Sequence, residues 1–554
     1  MDNDFHNEKK ALPPEPAENI CFLPKLSFSG SRLTLWVVCR ERGMHIERLI
    51  LRFRSKLLRE QTEYTFEEIS RRKTAQGERV KAFLDLKDAD LRSMYWDALA
   101  VMQDEEGNPA GEAFLCMTYS YRLFLSFLYR GHFKGKDGCI FYPFNLMNTA
   151  LCFQYRPREP YENASFYLKE AAAFLIYCLG KPFWDRQNIR LVFEKYCQMA
   201  QDNGYYFFRY CMMSGEEARS DARIFYVIDP ASGDRANLLP WEDHVIDFLS
   251  LKHLIYIQAA KLYISTDSRN HLYVKKSKFS LIRRSLRRKP IVFLQHGVTA
   301  MKRVDFFYGK GKGAGCSLFI VTSEMEKEIV RHYFGYEKNE IANTGFARWD
   351  VLEDRSAEGN EILIMPTWRA WLENATKMEF MESDYYRSYM KLLNDPAFEA
   401  FLERHDLTAC FYLHSKFREY IGDFSVPSGR IRLIVFGEVP ANELLMRCRA
   451  LVTDYSSVSW DVFYQGKPVI FYQFDRKDYL EAHGSYIDFE SELFGPCALD
   501  EKTLLEDLEE TAARGFALNE IQRRMLKAYF PVRDHNNCKR ICEAIERKWG
   551  AKEQ

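Results

Sequence analysis

The chain of 554 residues has no CxxC pair and no Cys/His array at metal-ligand spacing, so its fourteen cysteines read as reduced core residues of a cytosolic protein. Neither sign of charge is in excess. Lys plus Arg and Asp plus Glu number 78 each, so net charge gives no argument for nucleic-acid binding, and electrostatic partners must be sought in local clusters. The longest apolar run, Ala171 to Leu179, is far short of the roughly 20 residues needed to cross a bilayer, so any membrane contact is expected to be peripheral. No DxD-like carboxylate pair makes a convincing metal site, and no internal repeat or low-complexity segment is apparent. The opening MDNDFHNEKKALPPEPAE is polar and carries prolines; it reads as a loose tail over residues 1–20 rather than a signal peptide.

A hydrophobic fraction of 47% is ample for packed cores, and the length predicts about three domains. Residues 21–160 show short β-like segments (LTLWVVCR, AFLDL, FLCMTYSYRLFL, GCIFYPF) between charged turns, with a helix expected around Ile46 to Glu60. This reads as a small β-rich accessory domain. Strands then alternate with helices over 161–355: IFYVID, KLYIST, IVFLQHG, LFIVTS and EIANTG are the strand candidates. After the polar junction DRSAEGNE the alternation restarts over 356–554 with ILIMP, CFYLH, IRLIVF, ALVTD and VIFY, ending in a helix expected over Glu520 to Trp549. Two such series predict an α/β architecture with two Rossmann-like domains facing a cleft.

In such sheets ligands bind beyond the C-terminal ends of strands, which makes four places informative. Gln295-His296-Gly297 delivers a histidine into a turn, with Lys302 six residues on; His296 could take a proton from a hydroxyl, or be a capping or core histidine. Pro366-Thr367-Trp368-Arg369 offers a guanidinium to a phosphate or a base carbonyl, or is a surface turn. His414-Ser415-Lys416 follows strand CFYLH. In RALVTDYSSVSWDVFYQGKPVIFY a buried strand runs into Asp454, Tyr455, Ser456 and Ser457 and then a short helix carrying Asp461, an arrangement that turns backbone N–H groups toward an anion, with Ser456 as the N-cap candidate. The basic stretch Lys275 to Lys289, with Phe279, Leu281, Ile282 and Leu286 interleaved, reads equally as a helix lying on anionic lipid or as a solvated helix face. No nucleic-acid module accompanies it, so no nucleic-acid partner is expected.

The ordered set HGVTAMK, TGFARWDVL, PTWR, LHSK and NELLMRCRALVTDYSSVSWDVFYQGKPVIFY, together with DNGYYFFRYCM and FYVIDPASGD, resembles the CDP-glycerol glycerophosphotransferase family of teichoic acid synthesis over roughly residues 180–500. The resemblance implies a GT-B fold in which the domain over 161–355 presents the acceptor and that over 356–554 binds the CDP-activated donor. It makes His296 the catalytic base and puts Arg369, His414, Lys416, Asp454, Ser456 and Ser457 at the donor. Gly297, Thr299, Lys302, Arg348, Asp350, Thr367, Glu443 and Asp461 fall in the matching motifs as further site positions. The implied reaction transfers glycerol phosphate, or a related alditol phosphate, from CDP-glycerol or CDP-ribitol to a hydroxyl of a lipid-linked or polymeric acceptor, releasing CMP. Its expected setting is the cytoplasmic face of the membrane, with no cofactor and no metal. Two places depart from the family's usual pattern: Val298 is inserted and Ala300-Met301 precedes Lys302, and His483-Gly484-Ser485-Tyr486 stands where Arg-Gly-Tyr is common. Two other readings remain: a nucleotide-sugar-dependent GT-B glycosyltransferase or epimerase, and a non-enzymatic membrane-surface scaffold.

Overall fold

The computed structural model describes residues 17–54, 62–74, 77–127, 131–145, 150–159, 161, 163–274, 280–373, 375–426 and 428–550. The chain divides into two compact units, Met1–Glu162 and Asn163–Gln554.

In the first unit the described residues form one sheet of eleven strands, antiparallel except where Ala17–Ser29 runs parallel to Pro109–Cys116. The first strand opens inside the stretch expected to be a tail; residues 1–16 of that tail lie outside the described residues. The helix expected from Ile46 is instead the strand Met44–Phe53, paired antiparallel with Met94–Asp104. Its run HIERLILRF is rich in branched aliphatics that pack beside Trp96 in the unit's core, and this packing outweighs its helical spacing. The rest of that expected helix, 55–61, lies outside the described residues. FLCMTYSYRLFL ends as a helix, Tyr119–Phe127.

The second unit opens with helix α1 (Ala164–Leu179) and holds two all-parallel sheets. The first contains β1 (Ile189–Phe193), β2 (Arg223–Ile228), β3 (Val245–Asp247), β4 (Leu262–Ser265), β5 (Ile291–Phe293), β6 (Leu318–Val321) and β7 (Ile341–Asn343), in spatial order 3-2-1-4-5-6-7. The second contains β8 (Glu361–Ile364), β9 (Thr408–Tyr412), β10 (Ile431–Ile434), β11 (Cys448–Thr453), β12 (Val469–Tyr472) and β13 (Cys497–Ala498), in order 10-9-8-11-12-13. Both orders reverse direction once, between β1 and β4 and between β8 and β11, leaving a crevice beyond the strand ends at each reversal. The strands are short and almost wholly buried, as expected of parallel strands covered on both faces.

The helices that matter for the site are α2 (Asn203–Ser214), α3 (Leu281–Arg288), α4 (Glu324–Phe334), α5 (Ala441–Arg447), α6 (Val458–Tyr464) and α7 (Asn537–Trp549). The single helix expected over Glu520 to Trp549 is broken after Tyr529, where Pro531 lacks an amide donor and His535 adopts φ 56°. The break lets α7 turn back onto the first sheet: Cys538, Ile541, Cys542 and Ile545 pack with Phe207 and Phe208, and Arg190 pairs with Glu546 at 2.7 Å. The chain's last helix therefore belongs to the core of the first sheet although it follows the second.

Candidate active site

After β5 the backbone turns sharply at Gln295, which holds φ 58°, a left-handed conformation rare for a residue other than glycine. Buried polar groups fix it there. Gln295 Nε2 donates to the Ile320 carbonyl at 2.6 Å and to Glu326 Oε1 at 3.0 Å, while Gln295 Oε1 accepts from Thr299 Oγ1 at 2.6 Å. Glu326, in the first turn of α4, also accepts the Thr299 and Thr322 amides, both at 2.7 Å. Asn203, at the start of α2, donates Nδ2 to the Gln295 carbonyl at 2.9 Å. The turn so braced carries His296 outward into solvent. His296 Nδ1 lies 3.5 Å from the Thr266 carbonyl, a long contact in which Nδ1 can only donate; the Nε2 lone pair is then the one facing outward.

The strands at the reversal bring further groups beside it. After β1, Glu194 is buried and accepts the amides of Gln201, Asp202 and Tyr205 at 3.1, 3.0 and 2.7 Å; burial pushes its carboxyl up to about 8 against those donors. After β4, Asp267 is also buried, but His271 beside it, at 3.3 Å, and the charge of His296 outweigh burial and hold its carboxyl at about 2.

In the second half, Ser457 occupies the cap position of α6, and its side chain makes no capping bond. Ser456 Oγ accepts the Val458 amide at 3.4 Å, and the Ser456 carbonyl accepts Ser459 Oγ at 2.7 Å. The cap position thus falls one residue later than expected. His414 Nδ1 accepts the Lys416 amide at 3.2 Å, leaving its proton on Nε2. Burial, then Lys195, Lys416, Lys302 and His296, depress His414 to about 4. Those three lysines come from both halves, so positive charge converges here. Lys416 Nζ lies 3.8 Å and Lys302 Nζ 5.3 Å from the ring centre of Trp368, and Lys416 also pairs with Glu373.

The two halves meet at the turns just described. A methyl group on Gly297 would lie 2.1 Å from Ser457 Oγ, so the histidine turn and the serine turn are in contact. Beside them Arg348 bridges the halves: its guanidinium takes Asp202 Oδ1 at 3.0 Å and Asp461 at 2.8 and 2.9 Å, and Trp349 Nε1 adds a bond to Asp461. The two segments that depart from the family's pattern also touch one another. The Ala300 carbonyl accepts the Tyr486 amide at 3.0 Å and Ser485 Oγ at 3.3 Å, and the Tyr486 hydroxyl accepts the amides of Val304 and Asp305 at 2.8 and 2.9 Å.

Five expected site positions have other duties in the structure. Arg369 and Asp454 are both fully buried, paired at 2.8 Å, and Arg369 also binds Asp475 at 2.6 and 3.0 Å. The guanidinium is enclosed by Tyr385, Tyr455 and Tyr479, so it braces the serine turn from behind and does not face the cleft. Asp454 Oδ1 also accepts the Thr367 amide at 2.9 Å, which fixes the PTWR turn against β11. Thr299 is buried in the scaffold of the histidine turn. Asp350 accepts the Asn537 and Cys538 amides at 2.7 and 2.8 Å, capping α7. Glu443 pairs with Arg355 at 3.0 Å, in the segment joining the sheets.

Several residues that build the site were not among the expected site positions: Gln295, Asn203 and Asp202 lie in stretches singled out in the sequence but with no role assigned, and Glu326 and Asp475 are recognisable only by their partners. Asp202 had a readable cue as an acid directly before a helical run in DNGYYFFRYCM.

Two doubly wound domains that meet at strand ends, with a histidine turn on one and a serine turn on the other, form a GT-B-like transferase architecture. The chain belongs to the CDP-glycerol:poly(glycerophosphate) glycerophosphotransferase family, whose profile matches residues 182–547. It is 24% identical over 380 residues to the minor teichoic acid biosynthesis protein GgaB of Bacillus subtilis (strain 168), covering 66% of this chain and 40% of that protein. It is 23% identical over 244 residues to the teichoic acid ribitol-phosphate polymerase TarK of Staphylococcus aureus (strain NCTC 8325 / PS 47), covering 40% of this chain and 45% of that one. The chain thus matches less than half the length of these relatives. Among solved structures, that of the wall teichoic acid polymerase TagF superposes with a TM-score of 0.46 at 15% identity, covering 70% of this chain and 98% of that one.

Proposed function

We propose that the protein transfers an alditol phosphate, glycerol phosphate or ribitol phosphate, from a CDP-activated donor to a hydroxyl of a lipid-linked or polymeric acceptor, releasing CMP. The observation that carries this reading is the contact of Gly297 with Ser457, which sets the turn of an outward histidine directly against the serine turn at the start of α6. His296 Nε2 takes the proton of the acceptor hydroxyl as its oxygen attacks the β-phosphorus. A bond forms from that oxygen to phosphorus, and the bond from phosphorus to the bridging oxygen breaks. The electron pair leaves on the phosphate of CMP. Ser456, Ser457, the Nε2–H of His414 and the ammonium groups of Lys302 and Lys416 are the groups that meet this charge. Because cations of the chain supply that neutralisation, turnover is expected to survive EDTA.

The acceptor sets the location. The reading puts the protein at the cytoplasmic face of the membrane, held there by an anionic surface. Lys275 to Phe279 of the basic stretch lie outside the described residues. Of the rest, Ile282 and Leu286 turn into the core, against the expectation that they face lipid, whereas Arg284, Arg287 and Arg288 are exposed on α3. Apolar surface comes instead from the neighbouring α1, where Leu168, Leu175 and Leu179 are 73, 59 and 86% exposed; Glu170 of α1 accepts Ser280 Oγ at the start of α3. An apolar helix face beside a basic one is the composition of an interfacial anchor.

The test is CMP release by purified protein given a panel of CDP-alditols and a lipid-linked acceptor. Turnover of a UDP-sugar with UDP release, and none of a CDP-alditol, would overturn the proposal in favour of a sugar-nucleotide enzyme.

A further inference from the structure

The first unit carries a set of cations that the transfer chemistry does not use. Along strand Arg32–Cys39 the side chains of Leu33, Leu35, Val37 and Cys39 enter the core, which turns Arg32, Trp36 and their alternate neighbours to the opposite face. Trp36 pairs across the sheet with Lys25 of strand Ala17–Ser29 on one side and with Lys81 of strand Gly77–Asp85 on the other. Both ammonium groups lie over its ring, Lys25 Nζ at 4.9 Å and Lys81 Nζ at 5.1 Å from the centre. Beside them the Arg32 guanidinium lies 3.8 Å from the ring centre of Phe83, and that of Arg40 lies 4.4 Å from the ring centre of Phe22. A register shift between Phe22 and Lys25 brings both side chains to this face although an odd number of positions separates them. Lys25, Arg32 and Arg40 are exposed, and the three rings are half-buried. Asp85 opposes Arg32 and acts on it through space, and Glu67 opposes Phe83, but among the described residues none of Lys25, Arg32, Arg40 and Lys81 is in ion-pair contact with a carboxylate.

A cation laid over a ring keeps its charge and its outward N–H donors, which a salt bridge would consume, and the ring restrains side-chain motion that binding would otherwise have to arrest. Lys25 and Lys81 flank the strand of Trp36, so about 10 Å separates them at the usual spacing of strands. Arg32 and Arg40, before and after Trp36 in the chain, extend the row along the strand in both directions. Such a row suits a flexible chain with several anionic groups, to which each contact is weak while their sum is strong and salt-dependent. Nucleic acid would match the charges but needs open rings for its bases, and here the rings are covered by the cations. An anionic membrane is met by basic side chains with apolar ones projecting beside them, whereas these rings lie beneath. A polymer of alditol phosphates has one negative charge per repeat and no base to stack. We propose that this face of the first unit binds a linear phosphodiester polymer of that kind, retaining the chain that the transfer extends. The identity of the polymer rests on the function proposed above; the charge pattern that binds it does not.

The test is binding of lipid-free poly(glycerol phosphate) to the full chain, measured by calorimetry over a range of salt. Wild type is compared with a triple variant, Lys25→Gln with Arg32→Gln and Lys81→Gln, and with the pair Lys25→Arg and Lys81→Arg. A control removes equal charge from exposed positions of the second unit, Lys391→Gln with Lys502→Gln and Arg524→Gln. In the triple variant binding is expected to weaken about tenfold or more at low salt, and the slope of log affinity against log salt to become shallower by about 2, as loss of three contacts to a single-stranded polyanion requires. The arginine pair, which keeps cations over the ring, and the control should both bind within about twofold of wild type. An unchanged Tm shows that the triple variant folds; if it does not, the exposed Lys25→Gln alone carries the comparison, with a slope change of about 0.7. Equal binding by wild type and the glutamine variant would overturn the site, as would an equal loss in the control. Phosphatidylglycerol vesicles and single-stranded DNA are measured beside the polymer, and a loss for either that exceeds the loss for the polymer makes the face a lipid or nucleic-acid surface and overturns the proposal. CMP release with a short soluble acceptor should be the same in all four proteins. If none of them turns over a CDP-alditol the transfer reading falls, while the polymer comparison still decides the face.

Discussion

Gly297 and Ser457 lie so close that no side chain fits between them: a Cβ on Gly297 would meet Ser457 Oγ at 2.1 Å and Ser457 Cβ at 2.7 Å. The glycine is required by this approach and not by its backbone angle. Gly297→Ala is therefore expected to force the turns apart, destabilising the fold by about 1 to 3 kcal/mol as overpacking does. In a Ser457→Gly background the same substitution should cost little. Thermal denaturation of the four proteins checks this, and additive effects would refute the contact.

His296→Ala should lower kcat by about 10² to 10⁴-fold, the usual contribution of a general base. CDP affinity should hardly change, because His296 stands on the acceptor half. Steady-state kinetics with calorimetry separates the two effects, and near-wild-type turnover in the alanine variant would remove His296 from the mechanism.

His414 gives a prediction with a definite sign. In the free protein it is neutral at pH 7, held at about 4 by burial and by Lys195, Lys416, Lys302 and His296; Glu373 pairs with Lys416 and also faces Lys302. A diphosphate placed against it favours the imidazolium and raises its pKa, so binding takes up a proton between the two values. Affinity for CDP should then rise as pH falls toward 4 and level off below it. Calorimetry in two buffers of different ionisation enthalpy measures the uptake, which His414→Gln should abolish. Ser457→Ala should weaken binding by about 1 to 2 kcal/mol, the scale of a hydrogen bond to a charged group.

How much of this was legible in the sequence differs by level. The alternation of short apolar runs with helical stretches reveals two parallel sheets, because strands buried on both faces leave an unbroken apolar signature. It does not reveal that α7 crosses back to the first sheet, since that depends on Pro531 breaking a helix and Asp350 capping the piece beyond it. The same limit separates site from scaffold. Arg369 and Asp454 look like ligand groups because they follow strands, but whether a charge at a strand end faces the cleft or a partner is settled by tertiary packing. Asp475, the residue that draws Arg369 inward, is 106 positions away. Ala300 and Tyr486 show the reverse case: two local departures from a family pattern, unrelated in sequence, form one contact in space.

The buried pair predicts a stability effect where the sequence suggests a binding effect. Arg369→Met leaves Asp454 and Asp475 without their cation, and breaking such a pair costs about 3 to 5 kcal/mol. Arg369→Lys should not rescue it, because a single ammonium cannot reproduce the forked contacts to both carboxylates. The expected signature is a large fall in Tm for both variants. Loss of CDP binding with an unchanged Tm would return Arg369 to the donor site.

Membrane attachment is expected to need both neighbouring helices. Each exposed cation near an anionic surface contributes about 1 kcal/mol and is screened over a Debye length of about 8 Å at physiological salt. Replacing Arg284, Arg287 and Arg288 with glutamine should therefore weaken sedimentation with anionic vesicles most at low salt. Replacing Leu168, Leu175 and Leu179 with serine removes side chains that are already exposed, so the fold should survive while binding falls at every salt concentration. Both variants should keep activity on a short soluble acceptor, since neither helix contributes to the strand-end crevice. Vesicle binding equal to wild type in both variants would show that these faces are solvated surface and that the protein meets its acceptor some other way.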